Sequence, residues 1–284
     1  MSHDNPSVLS GEFLEEYSTK DSLRRYTKET AGNGISYLLD HDYGEIYFNV
    51  IENQIPKSRV QKGVRLWEFG CGAGMNLIHL VSALERRGVQ VEFAVGTDFS
   101  DALLGAAKRE AKRYLTPEQN KKVQFCVASH ETLIEEVTKG LGVPKEALLG
   151  SFDVMLGVNT IRYSHRLMTE KEVAATITSL LADRGVCIVI DMNNRFPAFR
   201  SRFHDRLVKD AKALYLPSLE EYARPFSSAG LQILKQANFC WIPHSAGSGL
   251  TAVMRALTPV LNTIVPSRAM RSLVIAQKTG ERHP

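Results

Sequence analysis

Three glycines form the part of the sequence best suited to bind a polar ligand. Gly70, Gly72 and Gly74 follow a short apolar run, Val64–Phe69, and precede a stretch with helical spacing of apolar residues. Glycines at alternate positions let the chain turn sharply, and they remove the Cβ atoms that would keep a ligand away from the main chain. Amides at the start of a helix point towards such a ligand with a favourable dipole. The stretch therefore predicts a ligand-binding turn between a strand and a helix.

Two acidic residues flank this turn and indicate what kind of ligand it holds. Glu68 lies two residues before the first glycine, and Asp98 follows the next apolar run, Val91–Thr97. A carboxylate at the first position repels a pyrophosphate and attracts a cation. A carboxylate after the second strand can accept both hydroxyls of a ribose. The pair predicts a nucleoside with a positively charged end, and the alternative is a glycine turn that binds nothing.

Predicted strands and helices alternate from residue 64 onward. Apolar runs predict strands at Val64–Phe69, Val91–Thr97, Val123–Ala128, Phe152–Val158 and Val186–Met192. Helical spacing predicts helices at Met75–Arg87, Asp101–Tyr114, Glu131–Leu141 and near Glu170–Leu181. This alternation calls for right-handed crossovers and a parallel sheet with helices on both faces. Further along, we expect a helix from Ser218, a strand at Leu231–Trp241, an inserted helix at Gly249–Val265 and a last strand at Arg271–Gln277.

The glycine turn and the two carboxylates resemble motifs I and II of the class I S-adenosylmethionine-dependent methyltransferases, and the order of elements resembles that family over residues 60–278. The resemblance implies an α/β fold with a Rossmann-like doubly wound sheet, mostly parallel, that ends in an antiparallel C-terminal hairpin. It also implies S-adenosyl-L-methionine as the cofactor. We predict an N-terminal helical cap at residues 1–58 and a methyltransferase domain at residues 59–284, with inserts near 195–216 and 245–266.

The resemblance places the cofactor beyond the carboxyl ends of the strands, as in other doubly wound sheets. Phe99 is then expected to lie against the adenine ring or to pack into the sheet. The family often has an aspartate for the adenine amino group after the third strand, whereas this chain has Ser129, with the amide of His130 as a further candidate. The predicted cofactor-binding residues are Glu68, Gly70, Cys71, Gly72, Gly74, Asp98, Phe99, Ser129, His130 and Asn159.

Acceptor-side residues are predicted from side chains that can move a proton or hold a charge. A base is needed only if the acceptor loses a proton, and histidine suits that task because its ordinary pKa is ~6.5. His165 is the first candidate, with a hydrogen bond to the backbone as its alternative role, and His244 is the second candidate. The predicted acceptor contacts are Tyr17, Tyr26, Tyr163 and Arg200. The alternatives are tyrosines that anchor the cap and a basic helix face exposed to solvent.

Composition narrows the classes of partner. A net charge of +4 over 284 residues does not indicate a nucleic-acid-binding protein. No apolar run approaches the ~20 residues of a membrane span, so we expect no membrane partner. Four widely spaced cysteines predict reduced thiols, no metal site and a cytoplasmic location. A cap helix that packs on a neighbouring subunit would make the protein a homo-oligomer.

These observations favour methyl transfer to a small organic acceptor, at oxygen or nitrogen, in secondary metabolism. Carbon methylation of an isoprenoid or another carbon chain is the nearest alternative. A dinucleotide-dependent oxidoreductase is disfavoured by Glu68 and by the spacing G-x-G-x-G in place of G-x-G-x-x-G. A nucleic-acid methyltransferase often carries an N/D-P-P-Y/F motif after the fourth strand, where this chain has Asn-Thr-Ile-Arg at positions 159–162. A non-catalytic binder is the remaining alternative.

Overall fold

A seven-stranded sheet forms the centre of the protein in the computed structural model, which describes residues 33–197 and 216–280. Its strands are β1 Val64–Phe69, β2 Val91–Asp98, β3 Val123–Val127, β4 Phe152–Val158, β5 Leu181–Met192, β6 Leu231–Phe239 and β7 Arg271–Lys278. Their order across the sheet is β3-β2-β1-β4-β5-β7-β6. The first five pair in parallel, and β7 is antiparallel to both β5 and β6. The predicted doubly wound sheet with an antiparallel C-terminal hairpin is confirmed.

Helices join the strands and cover both faces of the sheet. They are α1 Asn33–Tyr37, α2 Tyr43–Gln54, α3 Lys57–Lys62, α4 Met75–Arg86, α5 Asp101–Tyr114, α6 Pro117–Lys122, α7 Leu133–Leu141, α8 Ile161–Leu167, α9 Glu170–Leu180, α10 Leu219–Ser228 and α11 Ser248–Ile264. A π-helical turn, Leu38–Asp42, joins α1 to α2, and short 3-10 turns lie at His130–Thr132, Lys145–Ala147 and Pro266–Arg268. Within the described ranges, no helix has the length and apolar character that crossing a bilayer requires.

The alternation of side chains along β1 decides what faces the binding turn. Leu66 belongs to the apolar cluster that includes α2 and α4, whereas Trp67 and Phe69 belong to the cluster on the opposite face, with α9 and α10. Successive residues of a strand point to opposite faces, so Glu68 lies on the same face as Leu66. The fold therefore buries a carboxyl group beneath α2 and α4.

The short helices α6 and α8 were not predicted from the sequence, and strand β5 is longer than expected. Helices α6 and α8 are too short to show a clear apolar period, although a capping box between Thr116 and Gln119 marks the start of α6. Strand β5 begins at Leu181 instead of Val186. The predicted N-cap at Ser218 is confirmed, since its side chain accepts a hydrogen bond from the Glu221 amide.

Residues 33–58 of the predicted N-terminal cap and the second insert both contribute helices. In the cap, Ile35, Leu38 and Tyr47 are buried in the same apolar cluster as Leu66 of β1. The boundary of a separate cap at residue 58 stays a prediction. Helix α11 confirms the predicted inserted helix, and most of the first insert, residues 198–215, lies outside the described residues.

Close packing near the carboxyl end of β4 generates a prediction about stability. A Cβ atom on Gly157 would overlap the ring of Phe69, which is fully buried. Gly157→Ala is expected to lower the free energy of unfolding by about 1–3 kcal/mol, because the ring must move within a packed core. Urea denaturation measures the change.

Gly249→Ala in α11 is the matched control, because nothing lies within 4 Å of the position that its methyl group would take. It should leave stability unchanged or raise it by up to ~1 kcal/mol, since alanine favours helix over glycine. Equal losses in the two variants would contradict the packing argument.

Candidate functional site

The three glycines of the turn after β1 serve different purposes. All three have left-handed backbones, with φ of 65° at Gly70, 54° at Gly72 and 76° at Gly74. A Cβ on Gly70 would overlap the Thr160 side chain, and one on Gly74 would crowd its neighbours at 3.1 Å. Nothing lies within 4 Å of the Cβ position at Gly72. Gly70 and Gly74 are thus required by packing, and Gly72 presents bare backbone to open space.

Asp98 ties this turn to the neighbouring strand. Its Oδ2 accepts a hydrogen bond of 2.8 Å from the Gly72 amide, and its Oδ1 accepts one of 2.9 Å from the Ser100 amide. Burial raises the pKa of this carboxyl group, and the backbone hydrogen bonds oppose that rise. Each carboxylate oxygen can accept more than one hydrogen bond, so the group can hold the turn and still accept from a ligand hydroxyl.

Glu68 is buried where β1 meets the start of α4. Its Oε1 accepts from the Asn76 side-chain amide and its Oε2 from the Leu77 backbone amide, each at 3.0 Å. Burial nevertheless raises the pKa of Glu68 to about 8, because the two hydrogen bonds only partly offset the loss of water and Asp98 adds repulsion. A cation bound nearby would restore the charged form.

Two buried polar atoms near Glu68 lack a partner among the described residues. They are the hydroxyl of Tyr47, which projects from α2, and the Oδ1 of Asn76. Burial raises the pKa of Tyr47 well above its usual value, and the charge of Glu68 raises it further. Buried polar groups are almost always hydrogen-bonded, so one unused donor and one unused acceptor indicate a place for a polar ligand group.

The residues predicted for the adenine side have local partners. The amide of Cys71 donates to the Thr97 carbonyl at 2.8 Å, and its buried thiol lies 3.7 Å from the Gly72 carbonyl. Phe99 follows Asp98 and is half-buried. The Ser129 hydroxyl lies 3.2 Å from that of Thr132, within the cap of a 3-10 turn.

His130 links the end of β3 to the loop after β4. Its Nδ1 shares a 2.6 Å hydrogen bond with the Ser164 hydroxyl, and its Nε2 shares one of 2.9 Å with the Thr160 hydroxyl. Burial lowers the pKa of this imidazole, with nearby acidic groups opposing. The imidazole therefore holds Thr160 against Gly70. What His130 can offer to an adenine ring is its backbone amide.

Asn159 connects the end of β4 to β7. Its backbone is left-handed, with φ of 56°, and its amide donates to the Ile190 carbonyl at 2.8 Å. Its side-chain Oδ1 accepts a 2.5 Å hydrogen bond from the Arg271 guanidinium. Because β7 runs antiparallel to β5, its first residue lies at the edge where the parallel strands end.

The two candidate bases have different surroundings. The Nε2 of His244 shares a 3.0 Å hydrogen bond with the buried Tyr43 hydroxyl, whereas His165 meets the ring of Tyr222 edge-on, at 5.6 Å between centroids. Burial lowers the pKa of both, and the charge of Arg271 lowers that of His244 further. Both imidazoles are therefore neutral near pH 7.

Of the predicted acceptor contacts, the structure describes Tyr163 alone. Its hydroxyl accepts a 2.8 Å hydrogen bond from Arg162, which also forms a buried ion pair of 2.9 Å with Asp191. The remaining predicted contacts lie outside the described residues, and they are Tyr17, Tyr26 and Arg200.

Sequence reasoning missed three residues that the fold brings to this edge. Asn76 and Tyr47 contribute the unused polar atoms beside Glu68, and Arg271 contributes a buried cation. Asn76 could have been recognised from the sequence, because it is a polar residue at the start of a helix directly after a glycine turn. Arg271 opens an ordinary apolar strand, and only the antiparallel topology places it at the site.

Taken together, the edge fits a nucleoside with a cationic end. The open face of Gly72 admits the ligand, Asp98 remains able to accept from hydroxyls, and Glu68 supplies the charge that a cation needs. Within residues 33–197 and 216–280, no three histidine, cysteine or acidic side chains come together as a metal site. The four cysteines are free and buried.

Comparison with known proteins agrees with this geometry. A family model described as a methyltransferase domain matches residues 67–187, from β1 into β5. No curated protein matches the chain. An S-adenosylmethionine-dependent methyltransferase from Mesorhizobium loti is similar in structure, with 17% identity and a TM-score of 0.53 over 84% of this chain and 100% of that one.

Two further structures share the fold. Geranyl diphosphate C-methyltransferase from Streptomyces coelicolor A3(2), solved with Mg²⁺, geranyl diphosphate and S-adenosyl-L-homocysteine, has 15% identity and a TM-score of 0.55 over 87% of this chain and 82% of that one. The CMeT domain of the citrinin polyketide synthase has 18% identity and a TM-score of 0.50 over 77% of this chain. The match spans about half of that structure, 47%. The match to a methyltransferase domain over residues 67–187 agrees with the fold and with the glycine turn between two carboxylates.

Proposed function

We propose that this protein is a class I S-adenosylmethionine-dependent methyltransferase that binds its cofactor across the turn after β1. It methylates a small organic acceptor at oxygen or nitrogen, in secondary metabolism. The observation that carries the site is the open face of Gly72, which lies between the carboxyl groups of Glu68 and Asp98. Backbone without a Cβ, next to two carboxylates, suits a ligand with hydroxyls at one end and positive charge at the other.

Named residues would hold each part of the cofactor. Asp98 accepts from the ribose hydroxyls, with Phe99, Ser129 and the amide of His130 on the adenine side. Glu68 and the Asn76 Oδ1 accept from the ammonium group, and the Tyr47 hydroxyl can donate to the neighbouring carboxylate. Bound S-adenosylmethionine supplies a methyl group already activated by its sulfonium. The protein's own task is to align the acceptor with that methyl group and to exclude water, and orientation contributes up to ~7–11 kcal/mol in the best cases.

A base serves those acceptors that lose a proton. His244 is the better candidate on the described geometry, because it is neutral near pH 7 and the Tyr43 hydroxyl fixes its ring. Its low pKa makes it a weak base, which suits an acceptor that loses its proton only as the methyl group arrives. His165 is the second candidate, since its Nε2 has no hydrogen-bond partner among the described residues.

Carbon methylation is the second candidate function. It is supported by the shared fold of the geranyl diphosphate C-methyltransferase and by the buried tyrosines that α2 places above the sheet, Tyr43 and Tyr47. Aromatic rings can stabilise a carbocation that forms on a carbon chain.

An assay with methyl-labelled cofactor and pools of acceptors distinguishes methylation at oxygen or nitrogen from methylation at carbon. Mass spectrometry of the product then shows which atom carries the labelled methyl group.

Calorimetry tests the site directly. We expect S-adenosylhomocysteine to bind and NADP not to bind. Asp98→Asn should weaken binding at least tenfold, because hydrogen bonds to a charged acceptor contribute about 1.5–3 kcal/mol. Asp101→Asn, on the exposed start of α5, should bind normally. Unchanged affinity in the Asp98 variant would refute the proposed site.

Gly72→Ala separates ligand contact from backbone strain. The added methyl group occupies the open space at Gly72, so we expect the affinity for S-adenosylhomocysteine to fall at least tenfold. Gly142→Ala is the matched control, since Gly142 also has a left-handed φ of 65° and nothing within 4 Å of its Cβ position. Both variants should lose ~1 kcal/mol of stability, the cost of alanine in that backbone region. Equal binding by the two variants would contradict the proposed contact.

The pKa of Glu68 generates a prediction about protons. With a pKa of about 8, the carboxyl group of the free protein is mostly protonated near pH 7. Binding of a cationic ligand favours the carboxylate, so binding should release a fraction of a proton and strengthen as the pH rises towards 8. Calorimetry in buffers of different ionisation enthalpy counts the protons. Glu68→Gln should release none.

The same group also affects stability. Its pKa in the folded protein lies above the unfolded value of ~4.3, so its stabilising contribution is complete below that value and is lost as the pH rises through 8. The melting temperature of the ligand-free protein should therefore fall over this range, and Glu68→Gln should flatten the fall. A proton count that the substitution leaves unchanged would show that another group titrates.

A further inference from the structure

Arg271 is a buried cation for which the described residues supply no counterion. Its side chain begins β7 and the residue is 4% exposed. One guanidinium nitrogen donates to the Asn159 Oδ1, which is neutral, and the buried Nε has no hydrogen-bond partner among the described residues. No carboxylate of residues 33–197 and 216–280 lies within 4.0 Å of it. Buried charges are normally paired, so this arrangement calls for an anion.

Arg162 offers a comparison within the molecule, since it is also buried, with 7% of the residue exposed. That residue donates to the Asp191 Oδ1 at 2.9 Å, and Asp191 is fully buried. Asp191 also accepts from the amides of Arg162 and Met192, so its hydrogen bonds are committed to that side. One of the two buried arginines at this edge therefore has an internal partner, and the other does not.

The position of Arg271 places it in the proposed active site. Asn159 follows β4, which neighbours β1 on one side, and Asp98 ends β2, which neighbours β1 on the other. Neighbouring strands lie ~4.8 Å apart, so the guanidinium lies about one strand beyond the glycine turn, on the side away from Asp98. It also acts electrostatically on two buried groups nearby. Burial lowers the pKa of His244, and the charge of Arg271 lowers it further. Burial raises the pKa of Tyr43, and the charge of Arg271 opposes that rise.

We propose that Arg271 binds an oxyanion, a carboxylate or a phosphate, on the acceptor. This inference rests on the proposed function, because it assigns the substrate class of the same site. The Tyr47 hydroxyl, beside Glu68, already offers an unused donor to the carboxylate of the cofactor. Arg271 is therefore available to the acceptor. Its guanidinium binds the anionic group of the acceptor, and the rest of the acceptor lies towards His244 and Tyr43. A planar guanidinium suits carboxylate and phosphate oxygens because its donors lie in a fixed fork.

Nuclear magnetic resonance of arginine Nε–H groups tests this binding without an acceptor in hand. Protein saturated with S-adenosylhomocysteine is titrated with sodium acetate or with inorganic phosphate at constant ionic strength. Arg271 is assigned as the signal missing from Arg271→Lys. We expect its resonance to shift and to saturate at millimolar anion, while the Arg255 signal from α11 changes little. A resonance that does not shift, or that shifts without saturation, overturns the proposal.

Asn159→Asp is the sharpest variant, because it keeps Arg271 and gives it an internal carboxylate at the atom that already accepts its hydrogen bond. Aspartate tolerates the left-handed backbone of residue 159 as asparagine does. We expect the folded variant to bind acetate and phosphate at least tenfold more weakly. Arg255→Lys is the control, since that guanidinium lies over the Tyr37 ring, and it should bind anions normally. Undiminished anion binding by Asn159→Asp overturns the assignment to Arg271.

Calorimetry with S-adenosylhomocysteine identifies the molecule that carries the oxyanion. If the acceptor carries it, Arg271→Lys should bind S-adenosylhomocysteine within about twofold of the unmodified protein. A tenfold loss would assign Arg271 to the carboxylate of the cofactor and overturn the proposal. Failure of the unmodified protein to bind S-adenosylhomocysteine would instead refute the proposed function, and the anion titration of Arg271 can still be read in the protein alone.

Discussion

The hydrogen bond from the Gly72 amide to Asp98 is the constraint on which the site depends. It joins the turn after β1 to the end of β2, and it fixes a backbone segment that has no side chain of its own to anchor it. Thr160, held by His130, closes the turn from the other side by packing on Gly70. With both sides fixed, the open face of Gly72 is formed before any ligand arrives. Binding then needs little ordering of this segment, so little of the binding free energy is lost to conformational entropy.

Charge at the carboxyl edge of the sheet is divided between its two halves. The acidic groups Glu68 and Asp98 lie at the carboxyl ends of β1 and β2, whereas the buried arginines lie on the side of β4, β5 and β7. Asp191 neutralises Arg162, and Arg271 keeps its charge. A cation is therefore favoured near the glycine turn and an anion one strand further along. This division suits a positively charged methyl donor beside a negatively charged acceptor, because each then meets opposite charge and the two are drawn to adjacent positions.

The sequence was sufficient for the parts of this arrangement that rest on local rules. Glycine spacing, the apolar runs and the acidic residues at their ends lie within about 35 residues, and each has a period or a position that can be read directly. Tyr47 and Arg271 could not be recognised in this way. One lies on an amphipathic helix and the other begins an apolar strand, so their local patterns indicate packing alone. They reach the site because α2 packs on the sheet face that carries Leu66 and because β7 runs antiparallel. The roles of Gly70 and Gly74 were likewise hidden, since only the packed structure shows which glycine faces a side chain and which faces open space.

Binding of an anion to Arg271 would change the basicity of His244, which is neutral in the ligand-free protein. Burial first, and then the charge of Arg271, hold the pKa of that imidazole well below its usual value, so the ligand-free site contains a weak base. An oxyanion bound to the guanidinium cancels much of the second effect, because an opposite charge at short range favours the protonated imidazole. His244 thereby becomes a stronger base when an acceptor is present, and its ring is already oriented by the hydroxyl of Tyr43. If His244 is the base and the acceptor carries the oxyanion, as proposed, the bound acceptor strengthens the base that receives its proton. An acceptor without the anionic group would then lose rate as well as affinity.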